Sequence, residues 1–175
     1  MTTYVALLRG INVGTAKRVP MPELRKLASE LGYRDVRTHI NSGNLILTSD
    51  EPAEAVRRRL EEGIEQTFGL HADVVVRTAG ELAAVLAANP FPDGDPSRVT
   101  VAFLAGPPAD AAEAGVAALA TEDEPFLFAG QEVYVHYGHG QADSVLAAKF
   151  AGLLGVSATV RNLRTVTKLV DLSQP

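Results

Sequence analysis

The 175 residues of this chain are 46% hydrophobic and 21% charged, an ordinary globular composition that suffices for one domain or two small subdomains. The chain has no cysteine, which excludes disulfides and thiolate catalysis, and its net charge of −5 gives no support to a nucleic-acid-binding domain. No apolar run approaches the ~20 residues of a membrane helix, and no signal-peptide pattern is visible, so we expect a cytoplasmic protein without membrane partners.

The first part of the chain alternates between strand-like and helix-like patterns. In chain order these patterns predict a strand at 4–8, a helix from 20 or 22 to 31, strands at 36–40 and 45–47, a helix at 52–68 and a strand at 72–77. The residues at 41–44 have turn chemistry and join the middle two strands as a hairpin. The order β-α-β-β-α-β is that of the ferredoxin-like, or split βαβ, arrangement.

The same order of elements recurs in the second part without visible sequence identity. The patterns predict a helix at 81–88, a loop at 89–96, a strand at 99–104, a helix at 109–120, strands at 126–128 and 133–137, a helix at 144–154, a strand at 158–160 and a helix at 163–172. We therefore predict an α+β protein of two tandem ferredoxin-like halves, residues 1–88 and 89–175, the second being a candidate diverged repeat. Each half would have an antiparallel or mixed sheet with helices packed on one face.

The first loop, residues 9–18, follows the first predicted strand and is basic. Its glycines allow backbone amides to approach an anion, while Arg9, Lys17 and Arg18 add positive charge. Asn12 is a candidate for orienting a polar ligand. Neither GxxxxGK[ST] nor GxGxxG spacing occurs, so the residues alone also fit an ordinary connection with solvated cations.

A histidine and a serine precede the second predicted hairpin strand. His39 and Ser42 suggest a nucleophile pair, but three residues of extended chain turn their side chains to opposite faces, and no acid is placed to orient the histidine. Turn residues are the better interpretation. Asn41 and Asn44 remain candidate polar contacts.

A second cluster of polar residues lies in a glycine-rich segment before a predicted helix. His136, His139 and Asp143 suggest a metal site, but their spacing is loose and we predict none. The alternative is a loop whose Asp143 or Ser144 caps the helix, which is also a possible anion site.

The last basic segment comes near the predicted final helix. If that helix begins near Asn162, Arg161 lies at its positive end, where a bound anion would relieve the unfavourable charge. Thr165 and Lys168 are three residues apart and share a helix face. An ordinary amphipathic helix explains the same residues.

Several short motifs are spread along the chain: Leu8-Arg9-Gly10-Ile11-Asn12-Val13-Gly14, Val19-Pro20-Met21, Ser42-Gly43-Asn44, Asn89-Pro90-Phe91, Thr159-Val160-Arg161-Asn162 and Thr165-Val166-Thr167-Lys168-Leu169. Together these motifs resemble the bacterial domain of unknown function 1697 family. The resemblance covers nearly the whole chain and implies a cytoplasmic α+β protein, without an established activity, substrate or cofactor. Two positions depart from the family pattern. Val145 stands where lysine is usual, and Leu163 stands where an aromatic residue is usual.

These observations lead to one main hypothesis of function. The two basic segments would converge on a phosphate-bearing small molecule or nucleotide, with contacts from Arg9, Asn12, Lys17, Arg18, Asn44, Arg161, Asn162, Thr165 and Lys168. No acid–base pair or nucleophile stands out, so catalysis stays open, no catalytic residue is assigned and no cofactor is identified. One alternative is a nucleic-acid-binding module. RNA-binding sheets of this kind present aromatic residues, and Tyr4 is the only clear aromatic residue in the early strands, which argues against this alternative. The other alternative is a homodimeric or partner-binding scaffold.

Overall fold

The computed structural model describes all 175 residues as an α+β protein with eight strands and six helices. In chain order the elements are β1 (Thr2–Leu8), α1 (Met21–Glu30), β2 (Arg34–His39), β3 (Asn44–Ser49), α2 (Ala53–Phe68), β4 (Val74–Thr78), α3 (Ala79–Ala87), β5 (Val99–Leu104), α4 (Ala112–Leu119), β6 (Phe126–Ala129), β7 (Glu132–His136), α5 (Val145–Leu154), β8 (Ala158–Asn162) and α6 (Leu163–Ser173). The strands form two four-stranded antiparallel sheets. No helix has the length and apolar character needed to cross a lipid bilayer.

The chain divides into two compact units. Unit 1 comprises Met1–Ala84 and Lys168–Pro175, and unit 2 comprises Val85–Thr167. The sequence-based division after residue 88 assigned everything that follows to the second half. In the structure the last eight residues, 168–175, belong to unit 1 because α6 starts in one unit and ends in the other.

The sheet of unit 1 has the strand order β2-β3-β1-β4. Alternate residues of the central strand β1, among them Tyr4 and Leu8, belong to the core that also contains Leu24 of α1 and Leu60 of α2. Gly69 is the C-cap of helix α2. Its backbone is left-handed, a conformation that glycine adopts without the steric clash of a side chain. Burial of these large side chains is the main source of stability in this unit.

The sheet of unit 2 has the corresponding order β6-β7-β5-β8. Its core contains Ala102 and Leu104 of β5 together with Phe150 and Leu154 of α5. Helix α5 begins after Ser144, whose hydroxyl oxygen accepts a hydrogen bond from the Ala147 amide at 3.0 Å. Ser144 is therefore the N-cap of α5, the role for which Asp143 and Ser144 are the candidates in the sequence.

The predicted α+β class is confirmed, and the elements occur in the predicted order. Many boundaries differ by one to three residues from the predicted ones, and two of these differences have local reasons. Strand β2 starts at Arg34, earlier than predicted, because a register irregularity with a left-handed Asp35 interrupts the alternation on which the prediction relied. Strand β8 continues to Asn162, because Arg161 and Asn162 still pair with β5.

We predict that Leu60→Ala lowers the free energy of unfolding of the full chain by about 3 kcal/mol, because it leaves a cavity in the core of unit 1. Leu60 is fully buried, whereas Arg58 on the same helix is exposed. Arg58→Ala is the matched control and should change stability by no more than about 0.5 kcal/mol. Urea unfolding measures both variants, and equal losses would contradict this description of the core.

Candidate functional site

The first loop is held closed by the side chain of one asparagine. The Asn12 amide nitrogen donates hydrogen bonds to the carbonyl oxygens of Val19 and Asn41, each at 2.8 Å. Its amide oxygen accepts a hydrogen bond from the Val19 backbone N–H, also at 2.8 Å. Asn12 therefore closes the loop on itself and ties it to the β2–β3 turn.

The turn between β2 and β3 packs closely against the first loop. Gly43 has a φ of +89°, and an added Cβ would lie 2.8 Å from both Ile11 Cδ1 and Leu8 Cβ. The Gly43 carbonyl oxygen accepts a hydrogen bond from the Leu8 N–H at 2.8 Å. Only glycine fits this combination of positive φ and close approach.

Asn44 is fully buried at the end of the same turn. Its amide nitrogen donates to the His39 carbonyl oxygen and to the Ser42 hydroxyl, both at 2.9 Å. Ser42 and His39 thus accept the hydrogen bonds by which Asn44 stabilises the turn, which agrees with the turn interpretation of these residues. The buried position of Asn44 gives it a structural role in this part of the fold.

Unusual backbone conformations concentrate where the loop and the turn meet. Asn12, Lys17 and Ile40 have φ values of 55°, 50° and 51°, in the left-handed region. Asparagine tolerates this region, but it is a rare conformation for a β-branched residue such as Ile40. The hydrogen bond from the Asn12 N–H to the Lys17 carbonyl oxygen, at 2.9 Å, helps to hold the loop in this form.

The cations of the first loop have different surroundings. Arg9 is half-buried, and its guanidinium lies 3.9 Å from an oxygen of Asp73. Lys17 and Arg18 are exposed and take part in no ion pair. The exposed backbone amides of Gly14 and Thr15 donate to no protein acceptor. Uncompensated cations and accessible N–H groups on one loop are groups that an anion can use.

The second basic segment spans the end of β8 and the start of α6. The Asn162 side-chain oxygen accepts a hydrogen bond from the Thr165 N–H at 2.9 Å, so Asn162 caps the helix. Arg161 is half-buried in β8, opposite Val101. Burial lowers the pKa of its guanidinium to about 10, which leaves it protonated at neutral pH. Arg161 precedes the cap and lies in a strand, not in the first helical turn.

The two units divide the predicted site residues between them. Unit 1 contains Arg9, Asn12, Lys17, Arg18, Asn44 and Lys168, and unit 2 contains Arg161, Asn162 and Thr165. Within unit 1, Asn12 directly contacts Lys17 and the turn that leads to Asn44. Thr165 is buried and Lys168 is exposed. The binding of one ligand by all of the predicted site residues stays a prediction.

The histidines of the 136–144 segment have separate partners. His139 lies 2.9 Å from an Asp123 carboxylate oxygen, whereas the His136 ring packs against Phe91 with centroids 5.9 Å apart. No group of three or more histidine, aspartate or glutamate side chains is arranged to hold a metal ion.

Comparisons with known proteins identify relatives without a stated activity. A family profile described as "Protein of unknown function (DUF1697)" matches residues 1–134. Among solved structures, the chain is similar to the conserved bacterial protein SP0830 from Streptococcus pneumoniae, with 25% sequence identity, a TM-score of 0.79 and coverage of 99% of each chain. No curated protein matches the chain. The family match includes the first loop and the β2–β3 turn but ends before the segment at Arg161.

We predict that Asn12→Ala lowers the free energy of unfolding by about 3 kcal/mol, because it removes three hydrogen bonds and strains a left-handed residue. Asn12→Gly relieves the strain but not the lost bonds, so it should cost less, about 2 kcal/mol. Asn41→Ala is the control, since only the backbone of Asn41 takes part. Thermal and urea unfolding give the order of the three variants, and an Asn12→Ala variant as stable as Asn41→Ala would refute the assigned role.

Proposed function

The chain belongs to the DUF1697 family, and we propose that it binds a phosphate-bearing small molecule or a nucleotide through its first loop. The observation that carries the proposal is the pair of exposed, unpaired cations, Lys17 and Arg18, on a loop closed by Asn12. A phosphate offers charge and several acceptor oxygens, and it can accept bonds from both side chains and from backbone N–H groups.

The closed form of the loop favours binding because less conformational entropy is lost when a ligand arrives. Lys17 takes part through its backbone in the closure, as its carbonyl oxygen accepts from the Asn12 N–H. This hydrogen bond therefore fixes the backbone from which the Lys17 side chain extends, whereas the side chain itself is exposed. Asn12 supports binding indirectly, because both of its amide hydrogens are used within the protein.

We also infer that the two units are ferredoxin-like repeats, as the sequence predicts. Support comes from the shared element order β-α-β-β-α-β and the corresponding strand orders β2-β3-β1-β4 and β6-β7-β5-β8. This fold supports many functions, so the inference adds nothing about the ligand. The expected cytoplasmic location rests on the sequence and stays a prediction.

Nucleic acid is the less favoured ligand. Proteins that use a ferredoxin-like sheet to bind RNA stack bases on aromatic side chains of the exposed sheet face. Tyr4 is buried in the core of unit 1, and its hydroxyl donates to the Glu51 carbonyl oxygen at 2.8 Å. It is therefore not available for stacking. The proposal is one of binding and assigns no catalytic residue.

Titration of the full chain with inorganic phosphate, a sugar phosphate and nucleoside monophosphates tests the proposal. We predict saturable binding that weakens about tenfold or more in the Lys17→Ala/Arg18→Ala double variant, since each charge-assisted hydrogen bond is worth about 1.5 kcal/mol or more. Lys26→Ala removes an exposed cation on α1 and is the control.

Binding of no phosphate compound, or unchanged affinity in the double variant, would contradict the proposal. Binding of a polyanion that falls steeply with salt, without binding of small phosphates, would favour the nucleic-acid alternative.

A further inference from the structure

Unit 2 contains a cleft of about 430 Å³ between the end of α4 and the start of α5. This volume is within the range of small-molecule sites. Ala118, Leu119 and Val145 are apolar residues of its wall, and Glu124 and Asp143 are acidic residues of the same wall. Val145 is 57% exposed although it begins a helix whose other large apolar side chains are mostly buried.

Glu124 is the unusual residue of this cleft. It is only 7% exposed, and its carboxylate accepts hydrogen bonds from the Thr121 N–H at 3.1 Å and from the Ser144 hydroxyl. These two bonds fix its orientation but supply no positive charge, and Glu124 takes part in no ion pair. Buried carboxylates are normally paired with a cation, because burial of an uncompensated charge is costly.

No lysine or arginine side chain forms an ion pair with Glu124. No lysine or arginine occurs from residue 109 to residue 132, and none lines the cleft. Lys149, one turn after Val145 on α5, is exposed and forms no ion pair. The imidazole of His139 is directed to Asp123, at 2.9 Å. A carboxylate has about four acceptor positions, so Glu124 retains two after its hydrogen bonds are counted.

We propose that this cleft binds an organic amine, with the ammonium group against Glu124 and the apolar body along Ala118, Leu119 and Val145. Asp143, exposed at the cleft, adds negative charge that attracts a cation from solution. An organic cation suits the site better than a metal ion, since an apolar wall contributes no metal ligand and no group of three acidic or histidine ligands is present. The site is independent of the phosphate site proposed in unit 1.

Titration of the full chain with n-butylammonium, n-butanol and butyrate tests the charge requirement, followed by isothermal calorimetry or by NMR of the Ser144 and Val145 amides. We expect saturable binding of butylammonium and at least about tenfold weaker binding of the neutral and anionic analogues. Putrescine and Nα-acetyl-lysine methylamide separate two sources of the same ammonium group, a free amine and a lysine side chain of a peptide. Equal binding of all three four-carbon probes, or binding of none, would overturn the proposal.

Two sets of variants locate the ammonium group. Glu124→Gln keeps the size of the side chain and one acceptor oxygen for the Thr121 N–H but removes the charge, and it should weaken amine binding about tenfold or more. Glu113→Gln, at an exposed position of α4, is the matched control. Unchanged affinity in Glu124→Gln would contradict the assigned role.

Val145→Lys places a cation at the cleft, whose lining contains no lysine or arginine, and it does not alter a buried residue. The new ammonium group would lie at the cleft, compensate Glu124 and compete with the ligand, so amine binding should be lost. Val145→Met, of similar length and without charge, should retain it. Full amine binding by Val145→Lys would place the ligand elsewhere and overturn the proposal.

Discussion

The side chain of Asn12 makes the interaction on which the basic end of unit 1 depends. Its three hydrogen bonds join residues 12, 19 and 41, which lie in the first loop, at its end and in the β2–β3 turn. Together these bonds contribute about 2 kcal/mol, which is more than the cost of about 1 kcal/mol for the left-handed backbone that a residue with a side chain adopts here. At the same junction Gly43 lies so close to Ile11 that no side chain fits. Loop and turn are therefore one structural element that could not be built from either segment alone.

The two proposed sites have opposite charge and follow from the same physical argument. In unit 1, Lys17 and Arg18 are exposed cations without an acidic partner, on a backbone held by Asn12. In unit 2, Glu124 is a buried anion without a basic partner, held by Thr121 and Ser144. An uncompensated charge favours a ligand of the opposite sign, and a backbone or side chain that the fold already holds lowers the entropy cost of binding that ligand.

Periodicity in the sequence is enough to predict the α+β class and the order of the elements, because most of the helices and strands have an apolar repeat. It does not indicate the structural roles of individual polar residues. Asn12, Asn44 and Asn162 are predicted as ligand contacts, which stays a prediction, and the structure shows side-chain hydrogen bonds within the protein for each of them. A left-handed asparagine and an asparagine N-cap have local rules that could have indicated these roles. No local rule indicates that Glu124 is buried, since its burial depends on packing between segments that are distant in the sequence. One contact between these segments is the hydrogen bond that the neighbouring Asp123 carbonyl oxygen accepts from the Gly138 N–H.

Hydrogen exchange of the Val19 amide tests the central role of Asn12 most directly. This N–H lies in a loop outside any helix or strand and donates only to the Asn12 side chain. We predict that the Val19 amide exchanges slowly in the natural protein and at least about tenfold faster in Asn12→Gly, since local opening then no longer breaks a hydrogen bond. Core amides of β1 should be much less affected. A Val19 amide that exchanges at the same rate in both proteins would contradict the account.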